Sequence, residues 1–222
     1  MDYIIKLKPL SILDIGIGCG KYGFLCREYL DFLYCDKEHF GDRRVMIDGI
    51  EAFEPYITDV QRRIYDDIYI GDALNVVSDL TKKYNLVLAI DVIEHFDKEQ
   101  ATSLLSRLKS MSNYIIISVP REFCGQEASF GNNYEIHKSS FTKKELHSLG
   151  FKKFKFVDSS MIAIYGCGVE NIDASIFQRL YQYIYYLTSG LRSFVKKIIA
   201  AYITANHLDH RLYQSLLLKP VI

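Results

Sequence analysis

Four glycines, Gly16, Gly18, Gly20 and Gly23, follow directly on the apolar run Ile12-Leu13-Asp14-Ile15. A strand that breaks into a glycine turn and then a helix gathers backbone N–H groups and a helix N-terminus at one point. Glycine suits such a turn because a Cβ would bar a ligand from the main chain or forbid the turn angles. Carboxylates recur farther on, at Glu51, Asp72 and Asp91, each just past an apolar segment. A carboxylate can accept hydrogen bonds from two hydroxyls at once. Two histidines stand near this set, His95 after Asp91 and His137 after a long polar stretch. Imidazole is the side chain suited to moving a proton near neutral pH.

The surrounding pattern must bring these residues together. Apolar periodicity predicts strands over 11–15, 46–52, 68–70, 84–91 and 113–119, separated by helices over 21–33, 56–65, 74–83 and 98–110. Leu86-Val87-Leu88-Ala89-Ile90 is continuously apolar, as a central parallel strand should be. Residues 121–140 form a long loop, and loops of this length in a compact domain tend to serve function. Thr142-x-x-Glu145 is a capping box for a short helix to Leu149, stopped by Gly150. Segments 151–158 and 161–165 read as an antiparallel hairpin. Alternating strands and helices closed by a hairpin give an α/β fold with a doubly wound, mostly parallel seven-stranded sheet. Ligands bind such sheets at the carboxyl ends of the strands. Gly16 to Gly20, Glu51, Asp72 and Asp91 all fall there.

Composition narrows the partners. The chain has 222 residues, 49% hydrophobic and 24% charged, with a net charge of zero. No global field draws it to nucleic acid, and none is expected as a partner. The five cysteines include no C-x-x-C pair, so reduced thiols in a cytoplasmic protein are expected. Residues 1–10 carry no signal-peptide pattern and read as a lead-in.

Two ligand classes fit the turn. Gly18-x-Gly20-x-x-Gly23 satisfies the dinucleotide fingerprint, a weak signal by itself that wants an acid about 20 residues on. The wider pattern, Asp14-x-Gly16-x-Gly18-x-Gly20, resembles motif I of the class I S-adenosylmethionine-dependent methyltransferases. Other pieces are similar to that family in order over residues 10–168: Glu51 at the end of strand two, Gly71-Asp72-Ala73 after strand three, and Asp91-Val92-Ile93-Glu94-His95-Phe96 after strand four. The last two have no role in a dehydrogenase, and the hairpin matches the family's antiparallel seventh strand. The resemblance implies S-adenosyl-L-methionine as cofactor, held by Asp14, Gly16, Gly18, Gly20, Glu51, Asp72, Ala73 and Asp91. Glu51 would take the ribose hydroxyls and Asp72 the adenine amino group. For Asp14, fixing the turn and touching the cofactor remain alternatives, as do capping and contact for Asp72 and Asp91.

The resemblance also implies a methyl acceptor. No Asp/Asn-Pro-Pro-Tyr stretch follows strand four, which points to a small-molecule acceptor, sugar-, lipid- or metabolite-linked, methylated at oxygen. His95 and His137 are the catalytic candidates, with a loop-holding role open for the first and a solvent-facing one for the second. Strand and helix spacing does not enforce a metal site from Asp91, Glu94, His95 and His137, and no metal is expected. Residues 1–168 are read as the methyltransferase domain and 169–222 as a helical appendix with an apolar stripe. Segment 174–205 would pack on the sheet domain, form a homodimer seam or touch a membrane surface. The alternative reading is a non-catalytic binding or assembly subunit with the same fold.

Overall fold

The computed structural model describes residues 1–33, 38, 41–122, 125–128 and 131–172. Of the appendix read over 169–222 only residues 169–172 are described, and they belong to the first unit; the stripe over 174–205 lies outside the described residues. Met1–Ile172 form one unit.

A seven-stranded sheet runs through it in the order β3-β2-β1-β4-β5-β7-β6. The strands are β1 (Ser11–Ile15), β2 (Met46–Glu51), β3 (Ile68–Ile70), β4 (Tyr84–Ile90), β5 (Ser112–Pro120), β6 (Lys153–Val157) and β7 (Ser160–Tyr165). The first five are parallel, while β7 runs antiparallel to both β5 and β6. The chain order reverses beside β1, where β2 lies on one side and β4 on the other. That switch point opens a crevice at the carboxyl edge.

Period-two alternation in the central strands feeds two cores. Leu13, Val87, Ala89, Ile115 and Ile117 point to one face, against α4 (Ala73–Asp79), α5 (Lys98–Met111) and α6 (Lys143–Ser148). Ile12, Leu86, Leu88, Ile116 and Ile164 point to the other, with α1 (Asp2–Leu7), α2 (Lys21–Cys26) and α3 (Asp59–Ile64). Within α5, Ala101, Leu104, Leu105 and Leu108 are fully buried, the inward face read from the sequence.

Three local features differ from expectation. The lead-in folds as α1, because Ile4 finds a buried place in the second core. The expected single helix over 21–33 changes pitch after Cys26 and continues as a π-helix, Arg27–Leu33. A buried ion network sits at that change. Arg27 donates to Asp31 Oδ2 at 3.0 Å, to Asp66 Oδ2 at 2.6 Å and to the carbonyls of Ile64 and Val45. The fourth helix stops at Asp79 rather than continuing to 83.

Candidate active site

The glycine turn is held by its neighbours. The N–H groups of Gly16 and Ile17 both donate to the Ile50 carbonyl, at 2.8 and 3.2 Å, which ties the turn to β2. Gly16 has φ +70°, and a Cβ there would meet Val92 Cγ2 at 2.6 Å. Gly18 has φ +49°, with no heavy atom of the described residues within 4 Å of an added Cβ. A side chain at Gly18 would therefore strain the backbone and project into open space. The Gly18 carbonyl accepts from Gln61 Nε2 at 2.8 Å, so α3 also buttresses the turn. Gln61 belongs to the capping box with Thr58 that starts this helix.

Strands β2, β3 and β4 each deliver one carboxylate to the crevice. Glu51, at the end of β2, is buried; its Oε2 accepts the Gly18 N–H at 2.8 Å and its Oε1 the Phe53 N–H at 2.9 Å. Each carboxylate oxygen keeps a second lone pair for another donor. Asp72, after β3, caps α4 by accepting the Leu74 N–H at 2.8 Å and also stands on the crevice wall. Asp91, after β4, takes a left-handed φ of +54° and accepts from Ser118 Oγ at 2.7 Å. A non-glycine residue in that region carries strain, and such strain gathers at functional sites.

These groups share one cavity of about 160 Å³. Gly16, Gly18, Glu51, Asp72, Ala73, Asp91 and His95 all line it. The loop after β5 closes the far side with Asn132, Tyr134, Glu135 and Lys138. Tyr56 donates to Glu135 Oε1 at 3.3 Å, and Gln126 Nε2 donates to the Glu135 carbonyl at 3.0 Å. Loop and β2 side therefore meet across the opening. Tyr56, Gln100 and these loop residues escaped the sequence reading. The loop's length signalled its own residues, though no periodicity says which of its side chains turn inward, and nothing local marked Tyr56 or Gln100.

Asp14 and Gly20 fall outside the set that lines the cavity. Of the two roles open for Asp14, the structure displays the turn-fixing one. Its Oδ2 accepts from the Tyr65 hydroxyl at 2.6 Å, and that hydroxyl accepts the Gly23 N–H at 3.2 Å. Burial pushes the Asp14 carboxyl up to about 7, against the hydrogen bond from Tyr65, and the nearby Glu51 charge adds to the rise.

His137 also lies off the cavity wall, but beside His95, with ring centroids 5.0 Å apart. The Ile93–His95 turn carries Glu94 and His95. The Glu94 carbonyl accepts the N–H groups of Lys138 and Ser139, at 2.8 and 3.0 Å, so this turn and the loop carrying His137 move as one piece. His95 Nδ1 lies 3.3 Å from the Ile136 carbonyl, and an N–H donated there leaves Nε2 as the acceptor. Burial pushes His95 below its usual value, which keeps the imidazole neutral near pH 7. Burial also pushes the Glu94 carboxyl up to about 8, as its own backbone N–H opposes the rise.

No protein-family model matches the chain, and no curated protein matches it by sequence. Solved structures do match in shape. An O-methyltransferase family protein from Burkholderia thailandensis superposes with a TM-score of 0.51 at 10% identity, over 76% of this chain and 56% of that one. TehB from Haemophilus influenzae gives 0.50 at 14% identity, over 74% of this chain and 60% of that one. With the strand order and the antiparallel β7, these likenesses establish the Rossmann-like fold of class I methyltransferases. Among the described residues, no helix is long and apolar enough to cross a membrane.

Proposed function

We propose that this chain, with its class I methyltransferase fold, transfers a methyl group from S-adenosylmethionine to an oxygen of a small-molecule acceptor. The observation that carries the reading is the convergence of Gly18, Glu51 and Asp72 on one cavity. The cradle fits the cofactor: a Cβ on Gly18 would stand in the open space where bare main chain now faces the cavity.

Gly16 and Gly18 admit the amino-acid portion against the main chain. Glu51 accepts from the ribose hydroxyls while it continues to hold the Gly18 N–H. Asp72 accepts from the adenine amino group, and the backbone after it can donate to a ring nitrogen. When bound, the sulfonium supplies an already activated methyl group. The protein's task is then alignment and exclusion of water. Val92 and Phe96 give the cavity an apolar wall, and the loop pinned by Glu135 closes it.

An oxygen acceptor must lose a proton as its bond to the methyl carbon forms. The Glu94–His95–His137 cluster removes it. His95 lines the cavity and is neutral, so it has a lone pair to offer. Support for oxygen as the acceptor atom comes from the Burkholderia neighbour, described as an O-methyltransferase family protein, and from the missing amine-type motif after β4.

Isothermal calorimetry with S-adenosylhomocysteine tests the cofactor. Binding in the micromolar range is expected; no heat at high micromolar ligand, together with binding of NAD, would reverse the reading. Tight cofactor binding without turnover across hydroxyl, amine and thiol acceptors would favour a non-catalytic subunit.

A further inference from the structure

Glu94, His95 and His137 each offer one ligand atom, and these atoms lie within 4.8 Å of one another. We propose that the three side chains bind a single divalent first-row transition-metal ion at the edge of the cofactor cavity.

Glu94 provides an observation independent of that clustering. It is only 2% exposed, and its Oε2 has no hydrogen-bond partner among the described residues. A buried carboxylate oxygen without a donor is costly, and such orphans are rare in folded proteins. Two imidazoles stand beside it. Neutral imidazole brings a lone pair rather than a charge, so a cation is the ligand that all three donor atoms can hold together.

His95 is oriented as a metal ligand should be. A ligating histidine commonly donates its other ring N–H to a carbonyl or carboxylate, which fixes the tautomer. The Ile136 carbonyl occupies that place beside Nδ1, leaving Nε2 to ligate. The scaffold is preassembled as well. Lys138 and Ser139 donate to the Glu94 carbonyl, and the His137 N–H donates to the Gln126 carbonyl at 3.2 Å. Ligands far apart in sequence are thus held on two tied segments.

The donor set selects the ion. Two imidazoles and one carboxylate suit zinc, manganese or iron(II), whereas magnesium prefers all-oxygen surroundings. In a tetrahedral site with bonds of roughly 2.0–2.1 Å, neighbouring ligand atoms lie roughly 3.4 Å apart, so a modest inward rotation of the side chains closes the site. Three protein ligands leave a coordination position open, as in catalytic metal sites. His95 also belongs to the cavity wall, so the site adjoins the place an acceptor must occupy. The catalytic consequence rests on the methyl-transfer reading. With the ion bound, His95 and His137 give their lone pairs to it and no longer act as the base; the cation instead lowers the pKa of an acceptor hydroxyl set against it, and the proton leaves to solvent. The oxygen's electron pair forms the new bond to the methyl carbon as the carbon–sulfur bond breaks and its pair returns to sulfur.

The test uses the full chain, stripped with a chelator and titrated calorimetrically with Mn²⁺, Zn²⁺ and Mg²⁺, with S-adenosylhomocysteine titrated in parallel. One equivalent of Mn²⁺ or Zn²⁺ should bind, and more tightly than Mg²⁺. His137→Ala and Glu94→Gln should each weaken that ion at least about tenfold. Cofactor affinity should stay within about threefold in both, because neither side chain lines the cavity. In the Mn²⁺ complex, electron paramagnetic resonance should show coupling to imidazole nitrogen. Wild-type protein that takes up no ion, or variants that bind it as tightly as wild type, would overturn the site. Should Glu94→Gln fail to fold, His137→Ala and the resonance spectrum decide the matter. Loss of ion binding alone leaves methyl transfer standing, whereas a chain that binds the ion but not S-adenosylhomocysteine keeps the metal site and sinks the methyltransferase.

Discussion

The carboxylate of Glu51 reaches from the end of β2 to the glycine turn after β1 and accepts the Gly18 N–H at 2.8 Å. One residue thus holds the turn that, on the proposed methyl-transfer reading, receives the amino-acid portion of the cofactor, and on that reading the same carboxylate takes the ribose. The two elements are joined before any ligand binds. Glu51→Ala should weaken S-adenosylhomocysteine about 30- to 100-fold, roughly 2–3 kcal/mol, as two hydrogen bonds to a charged group are lost. It should also lower stability by about 1–3 kcal/mol, because the Gly18 and Phe53 N–H groups lose their acceptor. Calorimetry and urea melts on the same preparation read the two effects. Full affinity in the variant would remove Glu51 from the cofactor site.

Gly18 separates folding from binding. Its neighbourhood is empty enough for a side chain, and the cost of substitution is its positive φ. Gly18→Val should therefore fold, with a loss of about 1–3 kcal/mol from backbone strain. Binding of S-adenosylhomocysteine should fall below detection, because the side chain fills the cradle. Circular dichroism with calorimetry checks both halves. Unchanged affinity would show that the cofactor does not approach this turn.

Asp14 makes stability depend on pH. Its folded carboxyl titrates at about 7 because it is buried, whereas an unfolded aspartate titrates near 4. Between those values the folded chain holds a proton that the unfolded chain has released. Asp14 therefore stabilises the fold fully at the acid end, loses that contribution as pH rises towards 7, and adds no further slope above. The slope from this group is at most about 1.4 kcal/mol per pH unit. Asp14→Asn keeps an oxygen for the Tyr65 hydroxyl and removes the titration. Wild type minus variant, measured by urea denaturation from pH 5 to 8, should fall through this window; a flat difference would place the Asp14 pKa elsewhere.

Tyr65 links Asp14 to Gly23 through one hydroxyl, which donates to the carboxylate and accepts from the backbone. Tyr65→Phe leaves both groups buried and unpaired, so a loss of about 2–4 kcal/mol is expected. In the Asp14→Asn background the loss should be smaller, since a neutral amide is cheaper to leave without a partner. A double-mutant cycle measures the coupling. Additive losses would mean that the hydroxyl serves some other group.

Much of this protein was legible in its sequence. The continuous apolar run at 84–90 marked a central parallel strand, and apolar runs ending at the Gly16–Gly20 turn, Glu51 and Asp91 put chemistry at strand tips, because the residue that follows a buried parallel strand falls at the carboxyl edge of the sheet whatever the strand order. Which of those residues touch was decided by the tertiary structure. Asp14 and Glu51 are both acids at strand ends, yet one turns to Tyr65 and the other to Gly18. A strand's period of two settles the face a side chain takes but not its neighbour across the crevice. The same holds for His137, which no spacing connects to His95. The backbone hydrogen bonds from Lys138 and Ser139 to the Glu94 carbonyl, with the contact of His95 Nδ1 to the Ile136 carbonyl, bring the two rings together, and contacts across that much chain come from packing rather than periodicity.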